Sequence, residues 1–99
     1  MAPRREEVFE KLEANREKIQ RFHVRRLGLF GSTARGEQRT DSDLDFLVEF
    51  DQKTFRSFMG LKMYLEDLFG CKVDLATEEM LKERIKPETL REVVHAKGF

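Results

Sequence analysis

Residues 30–50 read FGSTARGEQRTDSDLDFLVEF, and the order of residue types along them decides the architecture. The last seven, LDFLVEF (44–50), place Leu44, Phe46, Val48 and Phe50 at every second position. Side chains alternate across a strand with period two, so these four share one face and belong to a core. Asp43 and Asp45 fall in the opposite set and point together from the start of that strand. Two such carboxylates repel unless a cation lies between them. Hard oxygen donors of this kind suit Mg²⁺, which completes its shell with water and substrate phosphates. An isolated DxD reads more readily as a polar strand cap, but its company changes the weighing. Gly31-Ser32 stands directly after a strand-like stretch, HVRRLGLF (23–30), and directly before a short helix expected over 33–37. At such a junction backbone N–H groups point outward and the helix dipole favours an anion. Gly31 lets the backbone approach a phosphate closely and the Ser32 hydroxyl adds a donor. The bland alternative is a turn in which Ser32 only caps the helix.

Three other phosphate- or metal-binding patterns fail on the letters. Gly31 and Gly36 have the spacing of a Walker-type loop, but Glu37 and Gln38 follow where Lys and Ser or Thr are needed. Neither Gly28-Leu29-Phe30 nor Gly31-Ser32-Thr33 supplies the second glycine of a dinucleotide fingerprint. A calcium loop begun at Asp41 has Phe46 where Gly is required and Gln52 where Glu is required.

Outward from this stretch, Val8, Phe9, Leu12, Ile19 and Phe22 form one stripe of a helix expected over 3–22, with Pro3 in its first turn. Phe55, Phe58, Met59, Leu61, Leu65, Leu68 and Phe69 predict a helix over 54–69 that stops at Gly70. CKVDL (71–75) alternates, with Cys71, Val73 and Leu75 on one face and Lys72 and Asp74 on the other. Thr77 suits the N-cap of a following helix, and Pro87 the opening of a last one running to about Val94. A helix between the second and third strands favours placing them parallel and adjacent. The expected fold class is α/β (α+β), a small mixed sheet with flanking helices.

Composition sets the outer bounds. Ninety-nine residues suit one domain over 1–99, and a hydrophobic fraction of 39% with nine Phe suffices for its core. Nineteen basic and nineteen acidic residues cancel, which argues against a general phosphate-backbone binder. One Cys makes no intramolecular disulfide, and neither a membrane span nor a signal-like apolar run is legible. A soluble cytoplasmic domain is expected, with no direct nucleic-acid or membrane contact.

Gly31-Ser32, ten residues, then Asp43-Leu44-Asp45 resembles the GS-x10-DxD signature of DNA-polymerase-β-like nucleotidyltransferases. The fuller string is similar to the minimal nucleotidyltransferase branch, whose members are about this short. The resemblance implies the polymerase-β-like palm fold and a third carboxylate on a later strand. Asp74 in KVDLAT (72–77) matches that carboxylate by position. The alternation of 71–75 independently puts Asp74 on a polar face, where an edge-strand charge is the plain alternative.

The implied chemistry is transfer of a nucleoside monophosphate. Gly31, Ser32 and the following amides hold the nucleotide phosphates, with Arg35 beside them. Asp43 and Asp45 hold one Mg²⁺, and with Asp74 a second near the incoming hydroxyl, so that both attacking and leaving oxygens are stabilised. Arg35 and Arg39 have local alternatives in pairing with Glu37 or Asp41. The resemblance further implies ATP as substrate and a HEPN-domain RNase toxin as partner, silenced by AMP placed on a tyrosine. A homo- or hetero-oligomer is compatible with this. The competing function is a non-catalytic antitoxin that neutralises its partner by surface occlusion; a small-molecule acceptor is disfavoured for want of a second domain. His23 reads as a turn residue, His95 as near the end of the last helix, Cys71 as a small core residue and Tyr64 as lying off its helix's stripe with no obvious partner.

Overall fold

The computed structural model describes residues 4–31, 44–52, 54–80 and 93–96, and the period-two stretch forms a central strand within them. The elements are α1 (Arg5–Ala14), α2 (Arg16–Gln20), β1 (Val24–Phe30), β2 (Leu44–Phe50), α3 (Phe55–Phe69), β3 (Val73–Ala76) and β4 (Val94–His95). They build a four-stranded sheet in the order β3-β2-β1-β4. β1 runs antiparallel to β2 and β4, whereas β2 and β3, joined through α3, are parallel as the crossover requires. Mixed sheet and flanking helices agree with the expected class.

One face of the sheet meets the helices. Leu44, Phe46 and Val48 are buried there with Leu27 and Leu29 of β1 and Val73 and Leu75 of β3. Val8, Leu12, Ile19, Leu61, Leu65 and Phe69 close over them from the helices. Phe46 stacks on Phe69 with ring centroids 5.9 Å apart. At the far end of β1 the register shifts between Val24 and Arg26. Arg25 there bonds Asp51 at 2.8 Å and Glu49 at 3.3 Å, tying β1 to the end of β2. The hydrogen bond to Asp51, then that carboxylate's charge, then Glu49, raise the Arg25 pKa above its ordinary value.

The ends of α3 and the start of the helix after β3 follow capping chemistry. The Thr54 hydroxyl accepts the Ser57 N–H at 3.0 Å, and Gly70 ends α3 in the left-handed conformation at φ 66°. At the start of the next helix the Met80 N–H reaches the Thr77 hydroxyl at 3.4 Å, as the N-cap reading expected.

Four expectations are corrected. The segment expected as one helix breaks at Asn15, whose backbone leaves the helical region at φ −112° while its side-chain Nδ2 donates to the Lys11 carbonyl at 2.9 Å. Asparagine competes in this way with helix continuation. Phe55, placed on the buried stripe of α3, is 82% exposed. A helical side chain covers the turn preceding its own Cα, and at the first helical residue there is no such turn. Val94 and His95 do not end a helix: they form β4, paired with Leu29 and Gly28 of β1. A Cβ at Gly28 would stand 2.6 Å from Val93 Cγ1, so this glycine makes room for the edge strand. Tyr64 is not without a partner, since its hydroxyl donates to Asn15 Oδ1 at 3.2 Å and its ring packs on Phe22. The short helix expected over 33–37 and most of the one after Pro87 lie outside the described residues. Among the described residues no helix is long and apolar enough to cross a membrane.

Candidate active site

The parallel register of β2 and β3 makes Asp45 and Asp74 direct partners. The pairing is held just upstream by the Leu44 N–H, which donates to the Lys72 carbonyl at 3.1 Å. Register partners on adjacent strands lie one strand spacing apart, about 4.8 Å, with side chains on the same face. Leu44, Phe46, Val73 and Leu75, their sequence neighbours, all go into the helix-facing core. The two aspartates therefore share the opposite face, each half-buried. Asp74 stands beside Asp45, neither distant from it nor beneath the sheet.

Phe30 pairs with Asp45 from the other side, and β1 ends there. The chain leaves the strand at Gly31 with φ +77°, a conformation that strains any residue with a Cβ. A Cβ at Gly31 would also run into the Asp45 carboxylate. The glycine is thus required twice, once for its backbone angle and once for the space that its missing side chain leaves to Asp45. Gly31, Asp45 and Asp74 come together from three separate strand ends. Ser32, Arg35, Arg39 and Asp43 lie outside the described residues.

Two oxygen-donor carboxylates in register, beside a turn that only glycine can make, form a donor set that suits a hard divalent cation. Among the described residues no larger cluster of His, Cys, Asp or Glu is arranged around a common point. His23, at φ 65°, turns the chain into β1, and Cys71 packs half-buried against the core, as their sequence positions suggested. The alternation that set Asp45 apart from the core also sets Leu47 and Glu49 on its face, although neither drew notice as a site residue.

A model of the nucleotidyltransferase domain matches residues 9–96. The chain belongs to the nucleotidyltransferase family. The protein adenylyltransferase MntA of Thermococcus cleftensis is 44% identical over 92 residues, covering 91% of this chain and 93% of that protein. A solved minimal nucleotidyltransferase structure aligns at 38% identity with a TM-score of 0.64, covering 87% of this chain and 93% of that one. A crystal structure of a toxin–antitoxin with AMP-PNP shares the fold, with a TM-score of 0.61 at 22% identity over 88% of this chain and 73% of that chain. This nucleotidyltransferase is of the minimal kind, and its mixed sheet with flanking helices is the fold of that family.

Proposed function

We propose that this nucleotidyltransferase is a Mg²⁺-dependent protein adenylyltransferase acting in the cytoplasm. It transfers AMP from ATP to a tyrosine hydroxyl of a HEPN-domain RNase toxin and so serves as the antitoxin. The observation that carries the reading is the in-register pair Asp45–Asp74 beside Gly31. The 44% identity to a protein adenylyltransferase across nearly the whole of both chains supports a protein acceptor. The AMP-PNP in a structure of the same fold supports an adenine nucleotide as donor.

In this mechanism Asp43, Asp45 and Asp74 hold Mg²⁺. The bound metal supplies charge neutralisation at the transferred phosphoryl group and at the departing pyrophosphate. Gly31 leaves its backbone bare, so that the amides following it and the Ser32 hydroxyl reach the phosphates. Arg35 adds a fixed positive charge beside them. Asp74 lies nearest the incoming hydroxyl and takes its proton as the oxygen attacks the α-phosphorus. The new P–O bond forms as the bond to pyrophosphate breaks.

Incubation of a purified HEPN-domain partner with this chain, ATP and Mg²⁺, followed by intact-mass measurement, tests the reading. A gain of one or more AMP units that disappears with Asp45→Asn is expected. A partner that is inhibited yet unmodified would favour occlusion and overturn the enzymatic reading.

A further inference from the structure

The three strand ends that meet at the site follow one another across the sheet: β1 with Gly31, β2 with Asp45 and β3 with Asp74. That order gives the proposed reaction a direction. The phosphates belong to the turn after Gly31, so pyrophosphate departs toward β1. In-line displacement brings the attacking oxygen to phosphorus from the side opposite the leaving group, which is the side of β3. Side chains that meet the acceptor therefore lie on β3, on the face of Asp74.

Lys72 fits that position. Its carbonyl accepts the Leu44 N–H at 3.1 Å, so the parallel ladder extends past Val73 to include it. With Val73 and Leu75 buried in the core, alternation puts Lys72 on the face of Asp74. Two residues of strand separate them, about 7 Å at strand rise. Lys72 is exposed, and among the described residues it enters no salt bridge, not even with Asp74. Arg26, which pairs with Glu49 farther along the sheet, is turned to that carboxylate at 4.0 Å. The flexible four-carbon stem of a lysine spans the distance to a group standing over Asp74.

We infer that Lys72 is the cation that meets the attacking oxygen of the acceptor and holds it in its anionic form. The inference rests on the proposed tyrosine-adenylylating reading and adds to it a catalytic residue on the acceptor side. A phenol in water gives up its proton only at about pH 10. Asp74 takes that proton, and Lys72 donates a charge-assisted hydrogen bond to the phenolate left behind. The new bond joins this oxygen to the α-phosphorus as the bond to pyrophosphate breaks. The negative charge passes to pyrophosphate, and the ammonium keeps its protons.

The test follows AMP transfer to a purified HEPN-domain partner by intact mass, over a range of ATP concentrations at saturating Mg²⁺. The unaltered chain is compared with Lys72→Met, which keeps the stem and removes the charge, and with Lys72→Arg, which keeps the charge. Lys72→Met is expected to lower kcat roughly 10²-fold with KM for ATP within about twofold, because the phosphates are held from β1. Lys72→Arg is expected to recover at least about tenfold of that loss. Melting temperatures should match throughout, since an exposed side chain supports no packing. A partner labelled with fluorotyrosine, a more acidic phenol, is expected to narrow the loss in Lys72→Met to about tenfold, which a merely structural role would not do. Transfer by Lys72→Met within about twofold of the unaltered chain overturns the assignment, as does a loss lying wholly in KM for ATP. A loss that fluorotyrosine leaves as large overturns the contact with the attacking oxygen. No transfer by the unaltered chain overturns the adenylyltransferase reading itself and takes the inference with it.

Discussion

Gly31 is the residue at which backbone and chemistry meet. Its φ of +77° and its contact with Asp45 mean that Gly31→Ala both strains the turn and pushes the carboxylate aside. The strain is expected to lower stability by about 1–2 kcal/mol, read by thermal melting. The displaced carboxylate is expected to lower kcat for AMP transfer by roughly 10²-fold, far more than the stability loss explains. Asp74→Asn keeps the side chain's size and removes its charge, and kcat for AMP transfer is expected to fall by at least about 10²-fold, read by intact mass over time.

At the scale of elements, the pieces whose information is local were legible and those made by distant contacts were not. Leu44, Phe46 and Val48 alternate within one strand, and the same alternation separates Asp74 from Val73 and Leu75, so both carboxylates could be placed before any coordinates. Gly70 ends α3 by capping chemistry that is likewise written in a single residue, whereas Thr54, expected as the first helical residue, is its N-cap. β4 is different. Two residues carry no period, and Val94 and His95 become a strand only because Gly28, far away in sequence, leaves space beside β1. The partner of Tyr64 was hidden for the same reason, since its bond to Asn15 spans 49 positions, whereas the break at Asn15 comes from a local side-chain bond to Lys11 that an Asn within an apolar stripe does not announce. Two outcomes follow for these elements. Thr54→Ala is expected to cost about 1 kcal/mol in denaturant melts by removing the cap on α3. Gly28→Val is expected to displace β4, seen as lost hydrogen-exchange protection of the Ala96 amide, which donates to the Leu27 carbonyl at 2.8 Å.

For the whole molecule, the helix-facing side of the sheet holds the main core, and the opposite side holds Asp45 and Asp74 beside a smaller apolar cluster around Phe30 and Ala76. Phe46 belongs wholly to the first, and Phe46→Ala is expected to destabilise by about 3–5 kcal/mol, read from denaturant midpoints. Asp45 and Asp74 belong to the second, where as register partners they are expected to act as one unit, not as two independent charges. Groups that work together lose almost everything when either is removed, and little more when both are. A double-mutant cycle on kcat for AMP transfer, with Asp45→Asn, Asp74→Asn and the pair combined, measures this directly. Each single variant should lose at least about 10²-fold, with the double variant no slower than the worse single one. Full activity in Asp74→Asn, or losses that simply multiply, would contradict the shared site.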